Sequence, residues 1–136
     1  MASERHILRS IVVQTMFAWE FHGGDVNEIL NYNLVNGGGA IKDKTFAVNL
    51  LERILTHREE ILQNIQKYAP EWPLEKIAEI DRAILELAVA ELLFDKDMPA
   101  LVAINEGIEL AKDFGSENSS KFINGVLSSL YDDCKN

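Results

Sequence analysis

The chain has 136 residues, of which 47% are hydrophobic and 26% are charged, a profile that excludes a disordered tail. We find no signal peptide and no apolar run near the roughly 18 residues that a membrane helix needs. The single cysteine, Cys134, excludes an internal disulfide. We therefore expect one cytoplasmic domain. The net charge of −9 opposes autonomous tight binding to nucleic acid.

Apolar residues recur at helical spacing in the first half of the chain and predict three helices there. The predicted helices span residues 4–21, 25–33 and 43–67, and Gly23-Gly24 ends the first of them. Asp25 is the expected N-cap of the second helix. Residues predicted to share buried faces are Leu8, Ile11, Val12, Thr15, Met16, Trp19, Phe46, Leu50, Ile54, Leu55, Ile61, Leu62 and Ile65.

The spacing of apolar residues in the second half predicts three or four more helices after the Tyr68–Pro73 boundary. A short turn at Pro73 leads into a helix that Asp95-Lys96-Asp97 interrupts, and Pro99 begins the next helix. Gly115 is expected to supply a conformationally permissive helix end. Predicted inward residues are Ile80, Ile84, Leu85, Leu87, Ala88, Leu92, Val102, Ile104, Ile108, Ala111, Phe122, Ile123, Val126, Leu127 and Leu130, with Asn118 or Ser119 capping the last helix.

No segment alternates with period two for long enough to predict a sheet, so the fold class is all-α. The boundary divides the chain into helical halves over residues 1–68 and 73–136. Two small packed bundles that share one core are the expected arrangement.

Residue patterns typical of catalysis are sparse. The histidines His6, His22 and His57 are scattered, and none lies four residues from a second ligand type in a way that would place two metal ligands on one helical turn. Surface positions are the favoured interpretation for all three. We therefore expect no catalytic residue, no metal and no cofactor.

The start of the first helix carries a small cluster of potential donors. Arg5 and Arg9 are four residues apart, and His6 lies beside them. Together with the positive end of the helix dipole they predict an anion-attracting patch, and an ordinary solvated helix start is the alternative.

A second candidate surface surrounds Phe122. Lys121 and the short polar residues Asn118, Ser119 and Ser120 precede it in sequence. An aromatic ring among hydrogen-bond donors is suited to stacking on an unpaired base, although Phe122 also fits the apolar stripe of its helix.

Several stretches follow one family pattern in order. They are VAINEGIELAKDFG at 102–115, then Ser119 and KFINGVL at 121–127, with IDRAIL at 80–85, Glu91-Leu92, and Arg5, Arg9, Gln14 and Trp19 in the first helix. This pattern closely resembles the NusB family of transcription antitermination factors over nearly the whole chain.

The resemblance implies both a fold and a function. The fold is two roughly perpendicular three-helix bundles, with about six to seven helices. The function is binding of the boxA element of nascent RNA together with ribosomal protein NusE, in an antitermination complex of RNA polymerase and other Nus factors that suppresses termination on ribosomal RNA transcripts. The resemblance implies no catalysed reaction.

Site residues follow from the resemblance by position. RNA contacts are implied for Arg5, His6, Arg9, Tyr68, Asn118, Ser119, Lys121 and Phe122, and NusE contacts for Phe17, Glu75, Asp81 and Arg82. His6 and Ile7 stand where the family usually has further arginines. With so few cations, we expect weak RNA binding by the chain alone and a shallow salt dependence.

Charge distribution is consistent with a basic protein partner. Residues 69–136 carry 6 basic and 14 acidic side chains, against 7 and 8 in residues 1–68. The acidic half would attract a basic ribosomal protein, and the alternative is that it only keeps the domain soluble.

Two other functions compete with antitermination. One is a helical protein–protein adaptor with little RNA binding of its own. The other is an accessory domain of an RNA-modifying system, since NusB-like domains also occur fused to RNA methyltransferases. A methyltransferase needs a separate α/β cofactor domain, for which 136 residues leave no room.

Overall fold

The computed structural model describes residues 3–134, which form seven α-helices, one short 3-10 helix and no strand. The prediction of an all-α fold is confirmed. The helices are α1 (Glu4–His22), α2 (Val26–Gly37), α3 (Thr45–Thr56), α4 (Arg58–Tyr68), α5 (Glu79–Phe94), α6 (Ala100–Phe114) and α7 (Ser119–Cys134), with the 3-10 helix at Leu74–Lys76.

The described helices group into two compact units, one up to Glu52 and one from Arg53. In the first unit α1 packs against α2, and in the second α5 packs against α4, α6 and α7. The division falls earlier than the boundary at 68–73 that the sequence predicts, because α4 packs on α5 and α7. That the whole chain acts as one domain stays a prediction.

Turn chemistry defines the helix ends in the first unit. The Ser3 hydroxyl accepts a hydrogen bond from the His6 N–H at 3.1 Å at the start of α1. Gly23 and Gly24 have φ of 74° and 95°, a region that only glycine enters at low cost, and they end α1 as predicted. Asp25 caps α2 by accepting from two backbone N–H groups, which confirms its predicted role.

The single long helix predicted over residues 43–67 is wrong, because the chain breaks at His57 into α3 and α4. His57 has φ −108° and ψ 17°, outside the helical region. Its ring stacks on that of Phe94 with centroids 3.9 Å apart, and the next residue, Arg58, pairs with Glu86 of α5. These tertiary contacts fix the start of α4. The helical spacing of apolar residues does not predict them.

The predicted buried stripe of α6 is partly wrong, since Val102 is 45% exposed and Ile108 is only half-buried. The helix packs through small residues instead. A Cβ added at Gly107 would lie 2.9 Å from Leu127 Cδ1 and 3.3 Å from Ala88 Cβ, so α6 approaches α5 and α7 closely at that point. A pattern based on large apolar residues misses such a face.

Gly115 is required for a different reason from the predicted one. Its φ of −91° is accessible to any residue, so backbone freedom is not the constraint. A Cβ at this position would lie 2.8 Å from the carbonyl oxygen of Ala111 and would also collide with Ser119. The glycine therefore permits the tight turn that places the start of α7.

Candidate functional site

The predicted N-terminal RNA patch is more buried than the sequence suggests. Arg5 is exposed and His6 half-buried, but Arg9 retains only 4% of its accessible surface. The guanidinium carbons of Arg5 and Arg9 lie 4.6 and 5.0 Å from the centroid of the Phe46 ring, within range of cation–π attraction. Of the two arginines, only Arg5 is therefore presented to solvent.

A groove in the second unit brings together two residues that are far apart in sequence. Tyr68 at the end of α4 and Phe122 in the first turns of α7 line it, because these two helices pack together. Trp72 also lines it, and the remaining lining residues are Ala69, Pro70 and Glu71. The cavity volume is about 210 Å³. We call this feature the aromatic groove.

Hydrogen bonds hold two walls of the aromatic groove in place. The Tyr68 hydroxyl donates to Asp133 Oδ2 at 2.6 Å. The Gln66 amide nitrogen donates to the carbonyl oxygen of Trp72 at 2.9 Å, and its oxygen accepts from the Leu74 N–H at 3.1 Å. The groove is thus largely formed before any ligand arrives.

The link to Asp133 should be visible in the titration of Tyr68. Donation to the carboxylate raises the pKa of Tyr68 above its ordinary value, and partial burial raises it further. Because the folded-state pKa exceeds that of the unfolded chain, this hydrogen bond contributes stability below the ordinary tyrosine pKa, and the contribution is lost as the pH rises through the raised pKa.

An absorbance titration of the folded protein measures this effect, with Tyr68→Phe identifying which transition belongs to Tyr68. We expect Asp133→Ala to shift that transition toward the ordinary tyrosine pKa. An unmoved transition would show that the two side chains do not form the hydrogen bond in solution.

The polar residues at the start of α7 differ in exposure. Asn118 and Lys121 are exposed, as a nucleic-acid contact requires. Ser119 is 2% exposed, and its hydroxyl accepts a hydrogen bond from the Ser116 N–H at 2.8 Å. Ser119 therefore closes the α6–α7 turn and is buried in the unbound protein, and its contact with RNA stays a prediction.

The first unit carries an exposed aromatic pair on α1. Phe17, a predicted partner contact, is 36% exposed. It stacks on Phe21, which is 61% exposed, with ring centroids 6.1 Å apart. The sequence prediction missed Phe21, although its spacing of four residues from Phe17 on a helix was a usable signal.

The predicted acidic partner contacts differ in accessibility. Glu75 lies exposed on the 3-10 helix, whereas Asp81 in the first turn of α5 is 8% exposed. Asp81 Oδ1 is buried and has no hydrogen-bond partner among residues 3–134. Arg82 is half-buried, and its Nη1 donates to the Leu74 carbonyl oxygen at 3.2 Å. Glu75 is therefore accessible to a partner and Asp81 is not in the unbound protein, and the partner contacts stay predictions.

The described part of the chain lacks two other features. No three His, Cys, Asp or Glu side chains within residues 3–134 converge in a way that could hold a metal ion. None of the helices described here combines the length and apolar character that a bilayer crossing needs.

Comparison with known proteins gives a consistent family. The model of the NusB family matches residues 6–132. Transcription antitermination protein NusB of Dehalococcoides mccartyi strain CBDB1 is 36% identical over 130 residues, which cover 96% of this chain and 91% of that protein.

Solved structures agree with the sequence comparison. T. maritima NusB is 36% identical, with a TM-score of 0.85, over 95% of this chain and 91% of that one. NusB in a crystal structure of antitermination factors NusB and NusE with double-stranded RNA is 27% identical, with a TM-score of 0.85, over 97% and 98% of the two chains. The chain therefore belongs to the NusB family.

Proposed function

We propose that this chain is a transcription antitermination factor that binds boxA-type single-stranded RNA together with ribosomal protein NusE. It acts in the cytoplasm within an antitermination complex of RNA polymerase and other Nus factors, and it works by binding rather than by catalysing a reaction. Support comes from the family and from a relative whose structure contains NusB, NusE and RNA.

The observation that carries the RNA assignment is the meeting of Tyr68 and Phe122 in the aromatic groove. Both positions are RNA contacts by family resemblance, and both rings are half-buried, which leaves part of each accessible. Aromatic rings beside an exposed cation such as Lys121 suit unpaired bases, because stacking works with any base and the cation meets the phosphate.

Charge explains why the partner is needed. The acidic balance of residues 69–136 repels a polyanion, and burial removes Arg9 from the few cations that could offset it. Few neutralised phosphates mean low affinity and a shallow salt dependence. A basic protein bound alongside would supply further cations and surface.

Phe17 and Phe21 form the proposed anchor for NusE. Aromatic side chains that become fully desolvated in an interface dominate its equilibrium affinity, whereas exposed charges mainly speed association. Glu75 is exposed and suited to that steering role. Asp81 is buried in the first turn of α5, so Glu75 and not Asp81 is the acid that we assign to steering.

The partner surface is tested by the binding kinetics of the chain with its cognate NusE. Phe17→Ala should raise the dissociation rate about tenfold or more, because the anchor is lost. Glu75→Gln should lower the association rate and its salt sensitivity while leaving dissociation nearly unchanged.

Tyr32→Ala is the matched control, since Tyr32 is an aromatic residue 69% exposed on α2. It should change neither rate. Equal dissociation rates for Phe17→Ala and Tyr32→Ala would remove Phe17 from the interface, and no detectable binding of the wild-type chain would overturn the NusE assignment.

A further inference from the structure

We infer that Trp72 is a base-stacking residue of the RNA site and forms the third aromatic wall of the groove. This inference rests on the proposed function, because it deepens the ligand assignment of the same groove. Neither helical periodicity nor the family resemblance marks this residue. The structure identifies Trp72 by its position beside Tyr68 and Phe122 in the groove.

Exposure is the first observation. Trp72 is 52% exposed, although indole has one of the largest apolar surfaces of any side chain. Its two aromatic neighbours in the groove are half-buried, so the fold covers them more fully than it covers Trp72. An indole left uncovered beside a cavity is free to gain stability by stacking on a ligand.

Rigidity is the second observation. The Trp72 N–H donates to the carbonyl oxygen of Ala69 at 3.1 Å, and the Trp72 carbonyl oxygen accepts from Gln66 Nε2 at 2.9 Å. Both backbone polar groups of Trp72 are therefore engaged in a turn that α4 holds through Gln66. A ring presented from such a turn loses little conformational freedom on binding.

The size of the groove limits its ligand. About 210 Å³ is less than the roughly 300–1,000 Å³ typical of pockets for drug-sized molecules. One flat ring is a suitable occupant, and aromatic walls provide the stacking surfaces that a nucleobase uses.

Charged groups of both signs lie around the groove. Three aromatic rings, Glu71 and the Asp133 carboxylate that accepts from Tyr68 would also suit a quaternary ammonium or a guanidinium group. Lys67, however, is exposed with its Nζ 5.2 Å from the Tyr68 ring, and Lys121 is exposed next to Phe122 in sequence. These ammonium groups repel a cationic ligand and attract the phosphates on either side of a bound base.

Fluorescence tests the inference without altering Trp72. The chain has two tryptophans, so Trp19→Phe leaves Trp72 as its only tryptophan, which is excited selectively at wavelengths that tyrosine does not absorb. In the complex with NusE, a boxA-type single-stranded RNA oligonucleotide should quench this emission, and the same sequence in a duplex should quench it much less. Quenching by a basic peptide in place of RNA would overturn the inference.

Affinity supplies the second readout. In the complex with NusE, Trp72→Ala should weaken binding of the single-stranded RNA about 5- to 150-fold, the loss of one stacked base. Trp72→Phe should restore most of that affinity because it keeps a ring. Tyr32→Ala is the matched control and should bind as tightly as the wild type, and thermal melting of each variant reports folding.

The outcomes separate this inference from the proposed function. If Trp72→Ala binds RNA like the wild type while Phe122→Ala binds more weakly, Trp72 is not a stacking residue and the RNA function stands. If the wild-type chain with NusE binds no RNA, the proposed function and the inference both fall.

Discussion

Replacing Arg58 by methionine should lower the free energy of unfolding by about 3–5 kcal/mol, because it removes a partner from a buried carboxylate. Glu86 on α5 is fully buried, and its Oε1 lies 2.9 Å from Arg58 Nε. The pair also joins the first turn of α4 to α5, immediately after the helix break at His57. Losing it removes an ion pair from a fully buried carboxylate in the helix that packs against α4, α6 and α7.

Chemical denaturation of wild type and variant measures this loss directly. The matched control is the double variant Arg58→Met with Glu86→Gln, which should regain much of the stability because no carboxylate remains buried at that position. A loss below about 1 kcal/mol for Arg58→Met would show that the pair behaves like a surface salt bridge.

Leu127→Ala should lower the free energy of unfolding by about 2–5 kcal/mol. Leu127 is fully buried on α7, and it fills the space over Gly107, where α6 approaches α7 closely. Truncation leaves a cavity between helices whose backbones are fixed by other contacts. The sequence predicts the same loss for Ile108→Ala, but Ile108 is half-buried, so its loss should be clearly smaller.

Denaturation of both variants under one set of conditions tests this ranking. A larger loss for Ile108→Ala than for Leu127→Ala would mean that α6 is rotated relative to the structure. Similar slopes against denaturant are expected for the two variants, because neither changes how much surface unfolding exposes.

Helix ends could be predicted from the sequence where residues close in sequence determine them. Gly23-Gly24 and the Asp25 cap mark real helix ends, because a positive φ and a short acceptor side chain determine them locally. The break at His57 could not be predicted, because it depends on partners that are distant in sequence. His57 stacks on Phe94, and Arg58 pairs with Glu86.

Accessibility of site residues was the least predictable property. Family resemblance indicates positions, but polar residues are expected at the surface by default, so the burial of Arg9, Ser119 and Asp81 went unpredicted. Arg9 packs against Phe46, which is distant in sequence, whereas Ser119 is held by the α6–α7 turn through the N–H of Ser116. Trp72 shows the converse, since this large aromatic residue is exposed in a turn that Gln66 holds.

The most direct test of the account is the affinity of boxA-type single-stranded RNA for this chain alone and for its complex with NusE, measured by titration at one salt concentration. We expect weak binding by the chain alone and binding at least about tenfold tighter by the complex, equivalent to about 1.4 kcal/mol. Phe122→Ala in the complex should lose about 1–3 kcal/mol of that affinity. If the complex binds this RNA no better than its separate components, the antitermination account is contradicted and the chain is a protein–protein adaptor.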